Sequence, residues 1–192
     1  MEKEIILASR SPRRKELLKN TGLRFKVIPS SIDEIAASCL APEHHAIHLA
    51  LSKAEEVAKR HGRGIIIAAD TIVVFHNKIF GKPRDIAHAE KMLASLSGTT
   101  HYVYTAIAVI DAKTGKRIVD IDKTKITTRK IPVSQIKVLA LRNHDKAGGY
   151  AVQENADILV KKMQGDYYNV VGLPLSKLKK VLALFSVEIK DT

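Results

Sequence analysis

Ile5 to Leu18 read IILASRSPRRKELL, and the fold class turns on how this stretch divides. Ile5-Ile6-Leu7-Ala8 has the length and branching of a buried strand. Ser9-Arg10-Ser11-Pro12-Arg13-Arg14 follows, and a helical pattern begins at once. Ser11 suits the N-cap and Pro12 is preorganised for the first helical position. Arg13 and Arg14 then fall in the first turn, where the helix already carries partial positive charge and each cation costs from a few tenths to about 1 kcal/mol. An anion offsets that cost. Backbone N–H groups, two hydroxyls and two guanidiniums at a strand-to-helix turn make a phosphate or carboxylate site. The alternative is a solvated basic helix start with both arginines in water.

Outward from this stretch, strand and helix patterns alternate with short connections, which predicts a mixed α/β domain spanning residues 1–192. Gly22 closes the first helix, and Phe25–Ile28 reads as a short strand. Pro42–His61 keeps helical spacing at Ile47, Leu51, Ala54, Val57 and Ala58, which puts Lys53 at the edge of the buried stripe. His44 and His48 stand one turn apart, half of a metal site in principle, yet no third ligand is evident and an exposed helix face is the usual fate of such a pair. Thr100–Ile110 and Arg117–Thr128 form a β-hairpin about Lys113–Lys116. Val170–Pro174 reads as a tight apolar turn, Leu175–Phe185 as the last helix, and Ser186–Thr192 as an added edge strand.

Ile65–Phe75, IIIAADTIVVF, is the second informative stretch. A run this apolar predicts a central strand covered on both faces. Asp70 and Thr71 interrupt it, and a buried carboxylate without a partner is strongly unfavourable. Either the strand opens onto a cleft at Asp70, or the carboxylate meets a metal or a cation, or the strand ends there in a turn. The immediate return of apolar residues argues against the turn. Further on, Gly81-Lys82-Pro83 is a loop in which Lys82 is either a second phosphate contact or a surface lysine.

Bulk properties narrow the function classes. The 192 residues carry 32 Lys and Arg against 20 Asp and Glu, a net charge of +12. That favours anionic partners. The cations are dispersed, there is no Trp, and aromatic residues make up 5% of the chain, so stable nucleic-acid binding is not expected. No apolar run approaches the ~20 residues of a membrane span, and MEKEIILAS lacks the features of a signal peptide. The one cysteine, Cys39, excludes an intramolecular disulfide and a cysteine-based zinc site. These features point to a cytoplasmic protein without membrane association.

The ordered set Ser9-x-Ser-Pro-Arg-Arg, Asp33-Glu34, Lys53, Ala69-Asp70-Thr71, Gly81-Lys82-Pro83, Asp145-Lys146-Ala-Gly-Gly-Tyr150-Ala-Val-Gln153 and Asn169-Val-Val-Gly-Leu-Pro174 resembles the Maf family of nucleoside triphosphate pyrophosphatases. Ser-Pro-Arg-Arg and Asp-Thr are similar to its dTTP/UTP branch. The resemblance implies an elongated mixed sheet with flanking helices, in two lobes around a cleft, related to the inosine triphosphate pyrophosphatases. It implies hydrolysis of dTTP and UTP, and of modified pyrimidine nucleotides, to the monophosphate and pyrophosphate. A nucleotide-binding regulator of septum formation or cell division, without turnover, is the alternative.

By the same resemblance, Asp70 is the proton acceptor. Arg13, Thr71 and Gln153 are linked to substrate choice, and Ser9, Arg14, Lys53 and Lys82 lie on the phosphate side. Glu34 matches an acid that helps to hold a divalent cation, Mg²⁺ or Mn²⁺; Asp70 with Glu34 either binds that ion or takes a proton from the attacking water. Glu154 follows Gln153 where many members have Gly. A homodimer is the expected assembly. A triphosphate concentrates about four negative charges in a small volume, and positioned cations and N–H groups are the main resource for such a transfer. Thr71 and Gln153 can each donate and accept hydrogen bonds, as reading a uracil or thymine edge requires.

Overall fold

The computed structural model describes residues 3–32, 41–143, 148 and 159–190. In chain order the elements are β1 (Ile5–Leu7), α1 (Pro12–Asn20), β2 (Lys26–Val27), α2 (Pro42–His61), β3 (Ile65–Phe75), β4 (Lys78–Phe80), α3 (Ile86–Leu96), β5 (Thr100–Asp111), β6 (Arg117–Thr128), α4 (Val133–Asn143), β7 (Val160–Gln164), α5 (Tyr167–Val171) and α6 (Leu175–Ala183). The strands form a seven-stranded mixed sheet in the order β2-β1-β3-β5-β6-β7, with β4 paired to β3. β1 runs parallel to β2 and β3, whereas β4 and β7 run antiparallel to β3 and β6. The mixed α/β class is therefore as the sequence predicts. The chain divides into two compact units, and β3, β5 and β6 each pass from one into the other, at Asp70/Thr71, Tyr104/Thr105 and Asp122/Lys123.

The first unit comprises residues 1–70, 105–122 and 172–192. Ile5, Ile6, Leu7 and Ala8 are buried beside Ile65–Ala69. Ser11 caps α1 by accepting from the Arg14 N–H, and Pro12 opens the helix. Glu4 ties the start of this unit together through Lys26 (2.7 Å), Arg63 (3.1 Å) and His61 (3.4 Å). Lys26 and then His61 hold its carboxyl down at about 2. Gly64 is required beside it: its φ is +84°, and a Cβ there would lie 2.7 Å from the Glu4 carbonyl oxygen. The tail differs from expectation. Residues 187–190 form no strand, although Val187 and Ile189 are buried and the Lys190 N–H donates to Thr21 O. Two backbone hydrogen bonds, from Lys190 to Thr21 and from Val187 to Leu182, and two apolar side chains seat the segment without a ladder.

The second unit comprises residues 71–104 and 123–171. Its core joins Val73, Val103 and Ile126 from the strands with Leu93 and Leu96 of α3 and Ile136 and Leu139 of α4. Each such side chain contributes about 1.5–3 kcal/mol by burial. Val170 and Val171, read from sequence as part of a turn, belong to α5. Asp166 explains that helix: its carboxylate accepts from the Tyr168 N–H at 2.8 Å, as an N-cap does. Asn169, fully buried, then donates from Nδ2 to Val103 O (3.1 Å) and Thr124 Oγ1 (2.8 Å).

Candidate active site

The parallel pair β1–β3 brings two of the informative stretches together. Leu7 pairs with Ile67, and the Ala8 N–H donates to Ile67 O at 2.8 Å. Continued two residues, this register stands Ser9 beside Ala69, one residue short of Asp70. β1 ends at Leu7 and the chain turns into α1, so Ser9 and the start of α1 follow the carboxyl end of β1, the end toward which β3 runs on to Asp70. Ligands of open α/β sheets bind outside that end.

Asp70 does not end its strand. β3 runs unbroken from Ile65 to Phe75, so the turn reading does not hold. Asp70 is 6% exposed, and its partner is a cation: Lys53 Nζ donates to Oδ1 at 2.6 Å. Lys53 is itself 8% exposed. This corrects the placement of Lys53 at a stripe edge. The buried face of α2 is Ala46, Leu49, Ala50, Lys53, Ala54 and Val57, with Lys53 in its middle, whereas Ile47, Leu51 and Ala58 are half-buried. Apolar spacing alone favoured the wrong rotation of the helix, because a lysine counts as polar until its acid partner is known. His44 and His48 are exposed, and no group of three metal-binding side chains occurs among the described residues.

The turn before α1 has its own hydrogen-bond frame. Ser9 is 7% exposed. Its Oγ accepts from the Ser11 N–H (3.2 Å) and from Arg14 Nη1 (3.4 Å). Arg14 Nε donates to the Gly172 carbonyl at 2.8 Å. Arg13 is half-buried and makes no ion pair among the described residues. No acid lies in the first turn of α1, so the positive end of the helix and two guanidiniums remain together, the combination that favours an anion.

The first unit thus gathers Ser9, Arg13, Arg14, Lys53 and Asp70. Thr71, the next residue of β3, is half-buried, and Lys82 is exposed in the segment between β4 and α3; both belong to the second unit. There the Gly81 carbonyl accepts from the Gly148 N–H at 3.1 Å. Glu34, Gln153 and Glu154, with Asp33, Asp145, Lys146 and Tyr150, lie outside the described residues. Sequence reasoning missed the Gly172 carbonyl as a partner of Arg14; the signal was a glycine before Leu-Pro, in a turn that fixes a carbonyl. It also missed His101, which is fully buried on β5. Among the described residues no helix is long and apolar enough to cross a membrane.

Comparison with known proteins extends this geometry to a lineage. The family model described as Maf-like protein matches residues 4–185. The dTTP/UTP pyrophosphatase of Desulforamulus reducens is 46% identical over 187 residues, 96% of this chain and 98% of that protein. The dTTP/UTP pyrophosphatase of Clostridioides difficile strain 630 is 41% identical over 188 residues, 96% of this chain and 97% of its own length. The structure of the Staphylococcus aureus Ham1 protein superposes with a TM-score of 0.56 at 16% identity, covering 95% of this chain and all of that one, which shows a shared fold. With a family match running from Glu4 to Phe185 and this level of identity along nearly the whole chain, the protein belongs to the Maf-like family.

Proposed function

We propose that this chain is a nucleoside triphosphate pyrophosphatase acting on dTTP and UTP. Water adds at the α-phosphorus, the bond to the α,β-bridging oxygen breaks, and nucleoside monophosphate and pyrophosphate leave. The relatives at 41–46% identity that carry the name dTTP/UTP pyrophosphatase support the activity. The structural observation that carries the reading is the buried Lys53–Asp70 pair at 2.6 Å, on the strand that pairs in parallel with β1.

In this reading each side chain has a task. Asp70 takes the proton of the attacking water, its carboxylate held in one orientation by Lys53. Ser9, Arg14 and the Arg13 N–H in the first turn of α1 bind phosphate oxygens, and their cationic, hydroxyl and N–H donors stabilise the charge that builds on leaving pyrophosphate. Arg13, Thr71 and Gln153 govern the choice of base, and Lys82 adds a phosphate contact.

Mg²⁺ typically uses one or two carboxylates with substrate phosphates and water rather than an all-protein cage; Asp70 brings one carboxylate, which faces Lys53 at 2.6 Å, so a divalent cation there would draw its remaining ligands from Glu34, substrate phosphate and water. Asp70, with Glu34, would hold Mg²⁺ or Mn²⁺, which when bound supplies charge neutralisation at the phosphate oxygens.

The test is pyrophosphate release from a panel of nucleoside triphosphates with either metal, comparing wild type with Asp70→Asn. Loss of a positioned proton acceptor is expected to slow turnover of dTTP and UTP by about 10²–10⁴-fold, with nucleotide binding retained. Turnover centred on a purine nucleotide would overturn the substrate assignment. Tight binding with no turnover would make the chain a nucleotide-binding regulator instead.

A further inference from the structure

The geometry points to Gly172 as a positioning residue for phosphate binding, acting through Arg14 on Ser9; the inference rests on the nucleotide reading above and assigns a residue outside its phosphate-contact set. Arg14 presents a planar fork of donors whose directions are fixed relative to one another. One prong, Nε, donates to the Gly172 carbonyl at 2.8 Å, and another, Nη1, reaches Ser9 Oγ at 3.4 Å. Pinning the first prong therefore aims the second.

The acceptor is rigid. Gly172 has a φ of +116°, in a region that side chains rarely enter. It is buried and followed by buried Leu173 and Pro174, and Pro174 immediately precedes α6, its carbonyl accepting from the Leu178 N–H at 2.9 Å. A carbonyl so held cannot swing to follow the arginine, so the arginine follows the carbonyl.

The consequence falls on Ser9. A hydroxyl has two acceptor positions and one proton to give. The Ser11 N–H and Arg14 Nη1 fill both acceptor positions, so the remaining capacity of Ser9 is donation. The relay from Gly172 through Arg14 thus sets Ser9 as a hydrogen-bond donor at the carboxyl end of β1, which is the polarity a phosphate oxygen needs. Displacing the Gly172 carbonyl takes from Arg14 the acceptor of its Nε, and with it the aim of Nη1 at Ser9 Oγ.

Inorganic pyrophosphate, titrated calorimetrically into the full-length protein, reads this relay without turnover. A hydrogen bond to a charged group corresponds to roughly a tenfold to hundredfold change in affinity. Arg14→Lys, Ser9→Ala and Gly172→Ala are each expected to weaken pyrophosphate binding by about tenfold or more. Combined pairs are expected to fall well short of the product of the single effects, since each change breaks one chain of contacts. In turnover the same variants raise KM for dTTP more than they lower kcat. Multiplicative effects would overturn the relay, as would a Gly172→Ala protein with a lower Tm and unchanged pyrophosphate affinity. If Gly172→Ala does not fold, the Arg14→Lys and Ser9→Ala pair decides: independent effects overturn the proposal. A wild type that neither binds pyrophosphate nor turns over dTTP would overturn the nucleotide reading and the relay with it, whereas wild-type binding with independent single effects overturns the relay alone.

Discussion

Lys53 and Asp70 are each nearly excluded from water and face one another at 2.6 Å, so removing the Lys53 ammonium takes from the buried Asp70 carboxylate the cation it faces. Lys53→Met is expected to destabilise the protein by about 3–5 kcal/mol, since removing one partner of a buried pair leaves the other charge uncompensated. Adding Asp70→Leu to it is expected to restore a large part of that loss in urea unfolding, while activity stays absent. A double variant no more stable than Lys53→Met would contradict the pairing. His101 makes a second residue-level prediction. Burial pushes its pKa down from 6.5 to about 4, so the folded chain holds it neutral where the unfolded chain has already taken up a proton. Its effect is absent above pH 6.5, grows as pH falls from 6.5 to 4, and levels below that, a loss of roughly 3 kcal/mol by linkage. Unfolding curves across that window are expected to show wild type losing more stability than His101→Gln. The need for a partner at Asp70 was legible in the sequence, since a carboxylate inside an apolar strand demands one. Which partner was not, because the two lie 17 positions apart on different elements and only the rotation of α2 brings Lys53 inward.

Elements were legible in proportion to how much of their definition is local. β1 and α1 announced themselves through an apolar run, an N-cap serine and a proline, all within ten residues, and the structure has each of them in place. α5 was missed because its residues, Tyr-Tyr-Asn-Val-Val, are poor helix formers; the Asp166 cap and the Asn169 bonds to β5 and β6 hold it, and the latter are tertiary. The β3–β4 hairpin lies between these cases. Phe75 pairs with Lys78 across a two-residue turn, and both turn residues have positive φ, His76 at 45° and Asn77 at 60°, as in a type I′ turn. Asn-Gly is the dipeptide that best fits such a turn. His76→Asn with Asn77→Gly is therefore expected to stabilise the protein by about 0.4–1 kcal/mol, by relieving the left-handed backbone of His76 in particular. An unchanged or lowered denaturation midpoint would mean that His76, whose ring centroid lies 4.1 Å from that of Phe75 in a tilted contact, contributes more by contact than it costs by conformation.

At the scale of the whole molecule, net charge is the property that sequence states completely, because it needs no coordinates. The excess of 32 basic over 20 acidic residues gives a positive field, and the substrate class proposed here is a compact polyanion. A field of that sign raises the encounter rate with anions and is erased by salt. Fields extend about 30 Å at 0.01 M ionic strength and about 8 Å at 0.15 M. The value of kcat/KM for dTTP is therefore expected to fall as salt rises through that range and then to flatten, once only the fixed contacts of Ser9, Arg14 and the α1 N-terminus remain within reach. kcat is expected to move little, since bound phosphates sit closer to their partners than either screening length. The two effects separate steering from chemistry: a kcat that falls in parallel with kcat/KM would mean that salt disturbs the site itself, and a kcat/KM indifferent to salt would mean that the +12 charge serves solubility and leaves substrate capture to short-range contacts.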